Sequence, residues 1–287
     1  NSGWMFTLQM PSYIPVMQFA DNRQLRETLF KARSKVSFEG KYDNQEIVKK
    51  SVSLRYKKAN ILGFEDHADY ILQKRMARKT ENVTNFLERL YEVYYPAAKI
   101  ELDAMRSLAK EDGITEMQSW DSAYYAEKLK KQTFDFDEEE LRPYFKVENV
   151  IEGIFKVAEL LYGLQFTEIN DIPTYHKEVR VFEVHDVDGS FLSLFYIDLH
   201  PRDTKNGGAW MTYWRAQGLN NGKLERPLIS IVANLTPSTE DKPSLLTYDE
   251  VQTIFHEFGH ALHGILSNVT YRSLASPDVY WDFVELP

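Results

Sequence analysis

The spacing of apolar residues changes once along this chain, near residue 165, and that change restricts the fold more than any other feature. Before it the pattern is helical. In DNRQLRETLFKARSK, Asp21 or Asn22 can cap a helix that carries Leu25, Leu29 and Phe30 on one side. DNQEIVKKSVSLRYKKANILG repeats the arrangement with Asn44 as cap and Gly63 as stop. The stretch from Glu81 to Gly113 predicts one long amphipathic helix kinked at Pro96, and Ser119 reads as the cap of the next. VENVIEGIFKVAELLYG places Val150, Ile151, Ile154, Phe155, Ala158 and Leu161 at helical spacing and ends at Gly163. Beyond it, EVRVFEVHD alternates, and GSFLSLFYIDLHPRD follows an Asp188-Gly189 turn signal. GGAWMTYWRA and RPLISIVANLT read as two more strands. The expectation is a mainly α fold with a small antiparallel β-sheet: residues 1–165 helical, residues 166–287 the sheet and one further helix.

Composition narrows the function. With 43% apolar and 14% aromatic residues, 287 residues can bury a substantial core. A net charge of −9 argues against a nucleic-acid partner, which would need a basic stripe. The basic clusters VKKSVSLRYKK and EKLKKQ read as solvated helix faces. There is no cysteine, which excludes disulfides, thiolate metal sites and a cysteine nucleophile, and fits a reducing, cytoplasmic setting. No run of 18 apolar residues is present, so no membrane-spanning helix is expected.

The chemistry is concentrated in HEFGHALH, residues 256–263, which holds three of the chain's seven histidines. Thr247 to Glu250 matches a capping box, so a helix should run from about Tyr248 to Ser267 with Val251, Ile254, Phe255, Phe258, Ala261, Leu262 and Ile265 on its apolar face. His256 and His260 are four apart and project from one side, a spacing that lets two imidazoles share one Zn²⁺. Glu257 sits beside the first of them, where a carboxylate can act as general base without binding the metal. An amphipathic helix with surface histidines is the plainer reading. It leaves two histidines and a glutamate on a core-like helix with nothing to compensate their burial. His263 is on the same side but a turn further on, which suits packing or substrate contact better than ligation. A third protein ligand is required, and Asp278, Asp282 and Glu285 are all candidates. Spacing does not choose among them; one should bind the metal and another could support a ligating histidine.

HEFGHALHG followed by DFVELP resembles the thimet oligopeptidase family of zinc metallopeptidases. So do MPSYIPVMQFADNRQLRETLF, WDSAYYAEKLKKQTFDFDEEELRPYF and VFEVHDVDGSFLSLFYIDLHPRDTKNGGAWM. PVMQFADNR, NGGAWM and HALHG lean toward the peptidyl-dipeptidase and bacterial oligopeptidase branch. The resemblance implies a zincin-type helix beside the sheet of a larger helical, channel-type peptidase. It implies His256, His260 and Glu285 as zinc ligands, one zinc per chain, and Glu257 as the base. Substrates would be short peptides, laid along a strand that includes Gly207, Gly208 and Ala209, with His263 nearby. LASPDVYW stands where many relatives carry a Gly-Thr pair, so that loop is expected to differ. The family's substrate-binding and oxyanion-stabilising His and Tyr residues follow the DFVELP region. The chain therefore reads as a middle piece of an enzyme, with weak zinc binding and little activity alone. Release of C-terminal dipeptides is the expected activity, and internal cleavage the alternative. A non-catalytic peptide-binding scaffold, or a zinc hydrolase acting on other substrates, would carry the same helix.

Overall fold

The computed structural model describes residues 3–135 and 138–287. The chain forms two compact units, residues 1–136 and 137–287, so the change of period at 165 falls inside the second.

The first unit is helical: α1 (Met10–Phe19), α2 (Arg23–Ser34), α3 (Gln45–Ile61), α4 (His67–Leu72), α5 (Thr80–Glu111) and α6 (Ser122–Phe134). Asn22 caps α2 by accepting from the Leu25 amide at 3.0 Å. Two other expected caps are replaced. Asn44 makes no capping hydrogen bond; Asp43 accepts from the Gln45 amide instead. Ser119 lies in a short 3-10 turn; Asp121 holds the N-cap position of α6, but its side chain caps no amide of that helix and its carboxylate accepts from the Gln118 amide ahead of the turn. That carboxylate is buried, and its charge is balanced by Arg26 at 2.9 Å and Arg23 at 2.8 Å. A buried acid with two guanidinium partners can hold three chain segments together, which a serine hydroxyl could not. The helix α5 continues through Pro96.

The second unit is built around a five-stranded sheet of β1 (Gln165–Ile169), β2 (Arg180–His185), β3 (Phe191–Asp198), β4 (Trp210–Arg215) and β7 (Leu228–Val232). The strand order is β1-β2-β3-β7-β4. The hairpin β5 (Gly218–Asn220) and β6 (Lys223–Glu225) stands apart as a second, two-stranded sheet. The sheet is mixed, not wholly antiparallel, because β3 and β7 run parallel. The chain leaves β3, crosses to form β4 at the edge, and returns through the hairpin to lay β7 between them. One row of side chains, Phe182, Phe195, Ile229 and Tyr213, runs across four strands on one face.

Two helices cover that face: α7 (Val147–Tyr162), ended by Gly163 at φ +75°, and α8 (Tyr248–Ile265). Val150, Ile151, Ile154 and Ala158 of α7 and Val251, Ile254, Phe258, Ala261 and Ile265 of α8 are buried with Phe182, Phe195, Ile229 and Ile231. Phe155 stacks on Phe166 at 4.2 Å, and Phe258 lies 5.7 Å from Phe195, so α7, β1, β3 and α8 share one aromatic cluster. The α8 helix comes very close to the sheet at Gly264, where an added Cβ would lie 2.7 Å from Ile229 Cδ1. The last short helix is α9 (Trp281–Val284). No helix of the described residues is long and apolar enough to cross a membrane.

Candidate metal centre

The start of α8 has both halves of the expected capping box. Thr247 Oγ1 accepts from the Glu250 amide at 3.1 Å, and the Glu250 carboxylate accepts from the Thr247 amide at 2.9 Å. The same carboxylate accepts from the amide and hydroxyl of Thr236, just past β7, at 2.6 and 2.9 Å. Glu250 thus sets the first turn of α8 against the end of the sheet. Three turns of apolar burial then hold the helix beside β4, with His256, Glu257 and His260 toward the edge strand.

Three donor atoms converge there. His256 Nε2 lies 3.2 Å from His260 Nε2. Glu285, at the C-terminal end of α9, brings one carboxylate oxygen to 3.0 Å from the first and 3.3 Å from the second. Among the described residues these three side chains form the one such group of potential metal ligands. Asp278 and Asp282 are outside it; Asp278 accepts from the Tyr213 hydroxyl at 3.3 Å. A single proton can satisfy one pair in this triangle, whereas a cation satisfies all three. Donors about 2.0–2.1 Å from a tetrahedral Zn²⁺ stand roughly 3.3 Å apart, so the donor set fits that ion. His256 and Glu285 are open to solvent, with side chains 51% and 65% exposed, while His260 is mostly buried at 13%.

Glu257 is 8% exposed. Burial pushes its carboxyl above the ordinary glutamate value, and the nearby Glu285 charge adds to the rise; His260, His256 and the Met211 amide oppose it. A buried carboxylate raised in this way is a better proton acceptor than a solvated one. With Ala209, Trp210, Met211, Pro277, Val284 and the three donors, it lines a cleft of about 400 Å³.

Two sequence expectations are corrected by position. Gly207 and Gly208 are not part of a strand; they form a bend, and β4 begins at Trp210. Gly208 has φ +94°, and no atom lies within 4 Å of a Cβ built at either glycine. Ala209 alone of the three lines the cleft. His263 does not face the cleft. It lines a separate cavity of about 340 Å³ with Tyr162, Gly259, Leu262 and Ser267, and burial lowers its imidazole below the ordinary value. Nor does an acid support His260 from behind: its Nδ1 is buried with no protein partner among the described residues. The cleft wall formed by Trp210 and Met211 was missed, although its strand, GGAWMTYWRA, was recognisable.

A family model for peptidase family M3 matches residues 16–287. The chain belongs to peptidase family M3. Among curated proteins similar to it, oligopeptidase A of Salmonella typhimurium is 39% identical over 295 residues, spanning 100% of this chain and 43% of that protein. Oligopeptidase A of Escherichia coli is 38% identical over 293 residues, 99% of this chain and 43% of that protein. The dipeptidyl carboxypeptidase of Escherichia coli is 36% identical over 290 residues, 100% and 42%. The chain therefore spans less than half the length of the curated relatives it matches.

Proposed function

We propose that the protein carrying this chain is a zinc peptidase acting on short peptides, with C-terminal dipeptides as its expected products. The observation that carries this reading is the triangle of His256 Nε2, His260 Nε2 and Glu285 carboxylate with the buried Glu257 beside it. His256, His260 and Glu285 hold the ion, two from one helix face and one from the segment that returns to it. Zinc bound there supplies a Lewis acid that polarises the scissile carbonyl and makes water more acidic. Glu257 takes the proton of the attacking water and passes it to the leaving amine, a role suited to its burial and raised pKa.

The β4 strand lies at the edge of the sheet, so its outer side can pair with an extended peptide that reaches the cleft over Ala209 and Trp210. The open space beside Gly207 and Gly208 leaves room for a second main chain at that approach. Chelation followed by zinc return is the first test on the whole protein. Hydrolysis of a peptide panel should vanish on chelation and recover with stoichiometric zinc, and mass spectrometry should find C-terminal dipeptides. Internal cuts would place the specificity with the oligopeptidases. Unchanged hydrolysis after complete metal removal would refute the proposal.

A further inference from the structure

A buried ion network sits at the end of the sheet next to the cleft. Asp198 is the last residue of β3; Val232 of β7 is its partner in register, and Trp210 of β4 pairs with Val232 on the other side. The chain from Leu199 to Ala209 must therefore pass over the end of β7 to reach β4. Such a crossover loop has no ladder of its own to hold it.

Side chains supply what the ladder does not. Lys205, with its side chain 3% exposed, turns back to β3 and donates to Asp198 Oδ1 at 2.8 Å, to the Asp198 carbonyl at 3.0 Å and to the His200 carbonyl at 2.9 Å. Three acceptors saturate the three N–H bonds of an ammonium, so the buried charge is fully partnered. Arg202 forms a two-pronged bridge to the same carboxylate at 2.8 Å on each arm, and the Tyr175 hydroxyl donates to it at 2.9 Å. Burial alone would raise the Asp198 carboxyl, but hydrogen bonds from Arg202, Lys205 and Tyr175 outweigh it and hold it at about 2. Asp198 therefore stays ionised wherever a peptidase would work. A second tie follows. Asn234, just past β7, donates from Nδ2 to the Asn206 carbonyl at 2.8 Å and the Gly208 carbonyl at 2.7 Å. The next residues, Ala209 and Trp210, line the cleft with Glu257 and Glu285.

We infer that Lys205 and Asn234 are positioning residues for peptide binding: they hold the crossover loop so that Ala209 and Trp210 stand where an extended substrate meets the metal cleft. Neither touches the three donor atoms, so their effect falls on substrate placement and not on the metal. The inference rests on the proposed peptidase function.

The test uses the zinc-loaded whole protein with Lys205→Met, which keeps the bulk of the side chain and removes its donors, and Asn234→Ala. Each should raise KM for a short peptide by on the order of ten- to a hundredfold with kcat little changed, the pattern of lost substrate placement. Zinc affinity should be unchanged, and deuterium exchange across residues 203–212 should speed up. Unchanged KM in both variants, or a fall in kcat alone, overturns the inference. If Lys205→Met does not fold, Asn234→Ala decides by the same criteria, since its side chain is only half-buried and carries no charge. If the zinc-loaded wild type cleaves no peptide, the proposed function fails separately. The exchange measurement then decides whether these residues hold the loop: faster exchange supports that role, and unchanged exchange rejects it.

Discussion

Glu257→Gln should lower kcat for peptide hydrolysis by roughly 10²–10⁴-fold in the whole protein, the range that general acid–base groups contribute. Zinc content should not change. Glutamine matches glutamate in volume, so the packed space between α8 and β4 is kept. The three donor atoms are on other residues and remain where they are. What is lost is the proton acceptor: a neutral amide cannot take the proton of the attacking water. Steady-state kinetics beside metal analysis checks both halves. Wild-type turnover in the variant would mean that another group serves as base, and the role given to Glu257 would be wrong.

His260→Ala should have the largest effect on the metal. Losing a hydrogen-bond partner of a metal ligand costs roughly 10–100-fold in affinity, and losing a ligand should cost more. His260 is the less exposed of the two ligating histidines. Alanine is the strongest helix former, so α8 should persist in the variant. Zinc titration in competition with a chromophoric chelator measures the loss. Asp278→Asn is the control, since that side chain pairs with Tyr213 and stands outside the donor triangle. Equal zinc affinity in wild type and His260→Ala would remove His260 from the proposed site.

The features that could be read from sequence are those set by neighbours a few residues apart. The Thr247–Glu250 cap, the apolar stripe of α8 and the Gly163 stop depend on short-range geometry, and each is found at the expected residues except Phe255, which is exposed. His256 and His260 share a side because a helix repeats every 3.6 residues. Features that depend on distant partners were not readable. QFTEI has little alternation to mark it as β1, because it is an edge strand with much of its surface open. The parallel pairing of β3 with β7 follows from a crossover whose direction no local pattern encodes. Asp121, not Ser119, holds the N-cap position of α6, and its carboxylate is buried because Arg23 and Arg26, nearly a hundred residues earlier, partner it. Asp278, Asp282 and Glu285 had equal standing by spacing; only the path of residues 266–285 back toward α8 brings Glu285 to the histidines. Lys205 gave no signal, because a lysine in a polar loop looks solvated until its buried partner is known.

The most direct measurement is anomalous diffraction at the zinc edge from crystals of the zinc-loaded whole protein. The account predicts one strong peak per chain at about 2.0–2.2 Å from His256 Nε2, His260 Nε2 and a Glu285 carboxylate oxygen, with Glu257 close by but not bound. A peak held by Asp278 or Asp282 in place of Glu285, or no peak between the two histidines, would contradict it.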